Sequence, residues 1–371
     1  MKKIKKGVKG EASQYKTRSN AIRDLQISLQ DFRKLCIIKG IYPREPRKKF
    51  KGNDKTYFHM KDLKILEHDQ LLTKFREIKA HLKKHKKFLG RRELQLAENK
   101  LHNAPKYSLA PVIKDRYPTF VDALRDLDDA LCLIALFAQL PQHLTLEVKK
   151  QDLENCANLY RDFMLYCTVS QCFSKTFFSI KGVYYRVEIM GTPVTWICPY
   201  KFNQRLPFDI DYKVMSTFLE FYQGLVKFIN FKLFADIGVS YPLNYPASVS
   251  SPYFDCDKVK QMLSHVSGLF AAARSEENVI DKAFDNAPEM QRLNRRGDNA
   301  RKQRTLFKNC HFMLGRETPV YILQHLILSL GGTFVLQDDM VEGGMEAVTH
   351  VCIDRPLVAG SQDKSKEYVV P

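Results

Sequence analysis

The sequence predicts a mostly helical amino-terminal module with a small antiparallel β element, followed by a carboxyl-terminal α/β unit. Three observations predict it. Apolar residues recur at helical spacing through most of residues 20–235. That period gives way to β-rich runs at 176–199. Beyond residue 306, strand-like and helix-like runs alternate.

Taken in order, residues 1–20 are basic and short of large apolar side chains, and read as a flexible arm. A first helix is expected over 20–26. A second starts after Ser28, an N-cap with Asp31 three residues on, and places Leu29, Phe32, Leu35 and Cys36 on one face. Gly40 and Pro43 stop it. Residues 44–56 read as a charged loop, 61–88 as one or two lysine-rich helices, and 98–112 as a connector holding Pro105 and Pro111. Thr119 opens one helix over 120–140, with Phe120, Leu124, Leu127, Leu131 and Ile134 along one side, and another runs over 151–168. The β-rich runs 177–180, 183–189 and 194–197, broken at Lys181-Gly182 and Gly191-Thr192-Pro193, predict an antiparallel meander holding the only tryptophan, Trp196. A long aromatic helix covers 211–235. It is apolar on more than one face, as a helix buried all round would be. The sharper alternative saves one face for a protein partner, with Phe218, Phe221, Tyr222 and Phe228 as the residues that would meet it. Residues 274–305 read as a polar linker. In the last unit a strand is expected over 306–313, a helix over 319–330 stopped by Gly331-Gly332, then strands at 333–336 and 348–353. The domain reading is therefore a basic arm and helical pair over 1–55, a helical domain over 56–273, the linker, and the α/β unit over 306–371.

The formal charge is +18, and all of that excess falls within residues 1–100; the remainder of the chain is balanced. A basic block of this kind favours a polyanion. The cations come in clusters: Lys2, Lys3, Lys5, Lys6 and Lys9; Arg44, Arg47, Lys48, Lys49 and Lys51; Lys83, Lys84, Lys86, Lys87, Arg91 and Arg92. Arg18, Arg23, Arg33 and Lys34 lie between the first two. Aromatics sit among them, including Tyr15, Tyr42, Phe50, Tyr57 and Phe58. Cations neutralise phosphates and rings stack on unpaired bases, so these residues are the candidate RNA contacts. The blander alternative is an import signal with solvated lysines. A membrane surface fits less well, because the basic helices lack a matching apolar face. No run reaches the roughly 20 apolar residues of a membrane span, and the amino end lacks the apolar core of a signal peptide. Nine scattered cysteines in mostly apolar runs read as reduced thiols, pointing to the cytosol or nucleus.

Catalytic patterns are weak. There is no phosphate-binding glycine loop. His81 and His85 have zinc-pair spacing, but Lys83, Lys84, Lys86 and Lys87 would oppose a cation there. Cys167 and Cys172 have no second cysteine pair. Asp126, Asp128 and Asp129 do not share one helix face and read as a solvated surface. Asp209 and Asp211 suit the start of the long helix. The reading is a non-enzyme without metal or cofactor.

Several collinear runs carry a resemblance. The first extends from Thr17-Arg18-Ser19-Asn20-Ala21-Ile22-Arg23-Asp24-Leu25 to Ile41-Tyr42-Pro43-Arg44-Glu45-Pro46. Then come Lys74-Phe75-Arg76-Glu77, Asp115-Arg116-Tyr117-Pro118-Thr119-Phe120 and Ala123-Leu124-Arg125-Asp126-Leu127-Asp128-Asp129-Ala130-Leu131. Ser179-Ile180-Lys181-Gly182-Val183-Tyr184-Tyr185 and Phe218-Leu219-Glu220-Phe221-Tyr222 complete the set. Together they resemble the pescadillo family over nearly the whole chain. The tail from Leu306, with Gly331-Gly332 and Thr349-His350-Val351-Cys352-Ile353, is similar to a BRCT domain.

The resemblance implies a nucleolar and nucleoplasmic assembly factor of the large ribosomal subunit, needed for maturation of large-subunit and 5.8S rRNA. It implies pre-rRNA, a block-of-proliferation family protein, a WD-repeat assembly factor and other pre-ribosomal proteins as partners. The alternative kept beside it is a protein-only nuclear adaptor whose basic clusters serve import. Two departures are expected to matter. Leu314 stands before Gly315 where a phosphopeptide-reading BRCT domain has a hydroxyl residue, and the sequence ends at Val370-Pro371 before the usual last helix, which reads as incomplete. The linker also lacks the family's acidic tract.

Overall fold

The computed structural model describes residues 11–46, 55–141, 148–200, 210–243, 305–315, 317–337, 348–353 and 367–369. It is rich in helix, with small antiparallel sheets in its amino-terminal part. The chain divides into two compact units, one of Met1–Pro118 with Lys213–Gly224, the other of Thr119–Tyr212 with Leu225–Pro371.

In the first unit a short 3-10 turn, Glu11–Gln14, leads to strand β1, Tyr15–Thr17. This strand pairs antiparallel with β2, Tyr57–His59, in the register Tyr15 opposite His59. The expected flexible arm is thus tied down from residue 15 onward, and the expected charged loop over 44–56 is followed by a strand. Helix α1, Arg18–Leu25, follows, then α2, Leu29–Lys39. The Ser28 hydroxyl accepts from the Asp31 amide at 3.1 Å and donates to the Asp31 carboxylate at 2.6 Å, so each end satisfies the other. At the far end Gly40 has φ +66°, the Gly40 amide reaches the Ile37 carbonyl, and the Ile41 amide reaches that of Cys36. These are the two bonds of a Schellman ending, and the left-handed residue suits glycine.

Helices α3, Met60–Glu67, and α4, Gln70–Gly90, follow. The expected connector over 98–112 is instead mostly helical: α5 is Leu94–His102 and α6 is Ala110–Arg116. Pro111 lies in the first turn of α6, where its missing N–H leaves nothing unsatisfied. The core of this unit joins Phe32, Leu35, Leu66, Leu72, Phe75 and Phe221, all at most 2% exposed. Phe32 meets Phe58 edge-on at 5.1 Å.

In the second unit the helix expected over 120–140 is two, α7, Phe120–Arg125, and α8, Leu127–Gln139. Thr119 caps α7 through the Asp122 amide at 3.2 Å. The break at Asp126 is set by its ψ of 8°, and the helical apolar spacing that continues across it hid the break. Helix α9 is Lys150–Ser170. The meander is present as β3, Phe173–Ser179, β4, Gly182–Ile189, and β5, Thr192–Pro199, antiparallel in that order. Its inner face buries Val183, Tyr185, Val187, Ile189, Val194, Trp196 and Cys198, and α8 packs along β5. Trp196 meets Phe163 edge-on at 5.4 Å and donates to the Tyr160 hydroxyl at 3.3 Å.

The long helix α10, Tyr212–Asp236, gives its first half to one unit and its second half to the other. Within the second unit Leu225, Val226, Ile229, Leu233 and Phe234 are buried, and the Asn230 side chain donates to the Leu159 carbonyl at 3.1 Å. The last elements are β6, His311–Leu314, helix α11, Val320–Ser329, β7, Thr333–Leu336, β8, His350–Cys352, and β9, Glu367–Val369. The four strands form a parallel sheet in the order β7-β6-β8-β9. The strand expected from Leu306 begins only at His311, because a turn over 305–309 leaves Leu306 exposed. Inside this unit the Thr168 hydroxyl lies 2.9 Å from Nδ1 of the buried His325.

Candidate nucleic-acid interface

Helix α4 has two halves of different character. Leu71, Leu72 and Phe75 anchor its first half in the core. Its second half carries Lys83, Lys84, Lys86 and Lys87, all exposed, and Arg91 and Arg92 follow at its end, also exposed. Arg92 turns the chain with φ +61°, and α5 then packs back against α4, where a His81 ring nitrogen lies 2.5 Å from the Lys100 carbonyl oxygen. None of the six cations has an ion-pair partner among the described residues.

Electrostatics makes this cluster unusual for a free protein. Lys83 and Lys87 stand one helical turn apart, and like charges at that spacing oppose helix formation by about 0.2–0.5 kcal/mol. All six lie within roughly one Debye length of a neighbour at physiological salt. The carboxyl end of the helix dipole offsets part of this repulsion. At about 1.5 Å of rise per residue the cluster covers three or four phosphate steps of a duplex strand. A polyanion would relieve the remaining repulsion.

The other candidate contacts are placed differently. Arg23 is exposed on α1, while Arg18 and Arg33 are half-buried on α1 and α2. Lys34 is engaged internally: its ammonium pairs with Glu220 at 2.5 Å, and Tyr107 donates to the same carboxylate. Arg44 is exposed, with Nε 3.6 Å from Asp62. Two further cations are structural, since Arg76 caps the Leu25 carbonyl at 3.1 Å and Lys79 that of Gln26 at 2.7 Å. Lys2, Lys3, Lys5, Lys6, Lys9, Arg47, Lys48 and Lys49 lie outside the described residues.

Of the candidate partner contacts on α10, Phe221 is 2% exposed, with the Arg116 guanidinium 4.9 Å above its ring. It is a core residue here, as a helix buried on that side requires. Phe218 and Tyr222 are half-buried and stacked at 6.5 Å, and Phe228 is exposed. Phe231, an aromatic of the same helix that is not one of these four candidates, is more exposed still. Sequence reasoning also passed over the outer face of the meander, where Phe177 and Tyr184 stand in solvent. Strict alternation along β4 was the signal that could have found it, since Tyr184 must oppose the face of Tyr185.

The remaining polar groups offer little chemistry. Among the described residues no cluster of three His, Cys, Asp or Glu side chains could hold a metal. Burial pushes the Cys36 thiol up to about 12 and the Cys198 thiol up to about 11, far from a reactive thiolate. The Asp128 carboxylate accepts from the Asp129 amide at 2.8 Å in the first turn of α8, where acidic residues suit the helix dipole.

The family model described as Pescadillo N-terminus matches residues 5–267, from the basic arm through α10. The chain belongs to the pescadillo family. It is similar to the pescadillo homologue of Oryza sativa subsp. japonica, 40% identical across 98% of this chain and 65% of that protein. Likewise it is 37% identical to the homologue of Nematostella vectensis, across 99% of this chain and 75% of the relative. The homologue of Dictyostelium discoideum is 35% identical, across 100% of this chain and 62% of the relative. The chain therefore spans about two thirds of the length of the curated pescadillo relatives it matches. The region matched by the family model contains the six-cation end of α4.

Proposed function

We propose that this pescadillo-family chain is a non-catalytic assembly factor of the large ribosomal subunit. It binds pre-rRNA through its basic amino-terminal region and takes part in maturation of large-subunit and 5.8S rRNA, in the nucleolus and nucleoplasm. Family membership supports the pathway. The observation that carries the RNA contact is the set of exposed cations at the end of α4 that have no ion-pair partner among the described residues. The helical region and the last unit hold protein partners: a block-of-proliferation family protein, a WD-repeat assembly factor and other pre-ribosomal proteins. No cofactor is required. No helix among the described residues is long and apolar enough to cross a membrane.

A BRCT-like reading of the last unit is supported by its parallel sheet with β6 beside β7 and β8. Phosphoserine recognition there is disfavoured. The Gly315 amide already donates to the Cys352 carbonyl at 3.1 Å, and Leu314 supplies no hydroxyl. The domain on this reading serves protein contact of another kind.

The test is the salt dependence of binding to a fragment of large-subunit precursor rRNA. With 6–10 phosphate contacts, affinity falls by about 10³–10⁵ between roughly 50 and 200 mM salt. Replacing Lys83, Lys84, Lys86 and Lys87 by Gln removes up to four contacts and flattens the logarithmic slope by about 3. An affinity indifferent to salt favours the adaptor whose basic clusters serve import alone.

A further inference from the structure

The outer face of the meander carries two cross-strand pairs that the basic quarter does not account for. Register places Phe177 opposite Tyr184, with ring centroids 6.3 Å apart, and Lys175 opposite Arg186. Phe177 is 66% exposed and Tyr184 37%. Lys175 and Arg186 are both exposed, and neither has an ion-pair partner among the described residues. At the hairpin tip Ile180 is 100% exposed beside the exposed Lys181. Within the three strands Glu188 is the only acid.

Stability of the free protein does not explain this arrangement. Like charges directly opposite on a sheet are destabilising. Two rings left in water forgo most of the gain from burial. The side chains cannot turn inward, because the other face is filled by Tyr185 and Trp196, each 1% exposed. A ligand that offers flat apolar surfaces and negative charge at short intervals satisfies both pairs together. Single-stranded RNA has that chemistry: its unstacked bases lie on rings while its phosphates meet cations. Duplex RNA does not, since its bases are already stacked on one another.

We infer that this face is a second RNA-binding surface, on which unpaired bases stack against Phe177 and Tyr184 and phosphates meet Lys175, Arg186 and Lys181. The inference rests on the reading of the protein as an RNA-contacting factor, and it adds a site in a different unit from the end of α4.

The experiment uses the full chain and fluorescence anisotropy with two probes, an oligouridine of about 12 nucleotides and an RNA duplex of about 16 base pairs. Three variants are compared: Phe177→Ala with Tyr184→Ala, Lys175→Gln with Arg186→Gln, and the four-lysine α4 variant. The aromatic variant is expected to lose about 10-fold or more in affinity for the single strand, with duplex binding unchanged. The Lys175 and Arg186 variant, which keeps the rings, is expected to flatten the single-strand salt slope by about 1.4. Wild-type binding of the single strand by both variants, with unchanged thermal melts, overturns the inference. If only the four-lysine variant weakens binding, the inference fails and the α4 reading stands. If only the meander variants do, the α4 reading fails and the inference stands. No binding of either probe by the wild-type chain at about 50 mM salt overturns both.

Discussion

Ser28, Gly40 and Thr119 act as the caps their types and spacing imply, because capping depends only on neighbours within four residues. Lys34 is the opposite case. Its partner Glu220 lies 186 positions away, so nothing local marks it as a structural cation. Phe221 was equally ambiguous: an aromatic on an aromatic helix can face core or partner, and only its burial in the folded chain, at 2% exposure, decides. His325 was silent in the sequence but carries a testable consequence. Burial lowers its pKa to about 3, against an ordinary 6.5. The unfolded chain therefore binds a proton that the native state refuses, and stability rises with pH across this window. Its contribution is complete above about 6.5 and is lost as pH falls toward 3, at up to about 1.4 kcal/mol per pH unit. Denaturant titrations from pH 7 to pH 4 are expected to show a shallower decline for His325→Gln than for wild type. Equal declines would remove His325 from the acid response.

Elements were legible where a period ran long enough. Helices α2, α9 and α10 and the meander all fall within a few residues of their expected bounds. Strands β1 and β2 were not legible, since three residues give too few alternating positions to register a period. Helices α5 and α6 were hidden by prolines that read as breakers but sit between helices or in a first turn. The Lys181-Gly182 break was legible, and the structure supplies its cause. Gly182 has φ +147°, and a Cβ there would stand 2.3 Å from the Cys198 carbonyl oxygen. Gly182→Ala must therefore part β4 from β5 or bend the hairpin, at about 1–3 kcal/mol or more. A fall in thermal midpoint of several degrees is expected, on the order of 2 °C or more per kcal/mol. An unchanged midpoint would show that the strand pair tolerates the displacement.

At the scale of the whole molecule, the charge map was fully legible and the assembly was not. All of the +18 excess lies in the first hundred residues, and that asymmetry is independent of folding. How the chain closes its units depends on long-range contacts, such as the return of residues 213–224 to complete the first unit, and no local pattern encodes them. Of the basic quarter, the α4 cluster emerges exposed and without an ion-pair partner among the described residues, while Lys34, Arg76 and Lys79 serve the fold. On the proposed function, this cluster touches pre-ribosomal RNA in the cell. Ultraviolet crosslinking in cells, mapped both to nucleotides and to attached residues, tests it most directly. Crosslinks from residues 83–92 to large-subunit precursor rRNA are the predicted result. Their absence, with protein partners still co-purifying, would contradict the claim and leave a protein-binding adaptor whose basic clusters direct import.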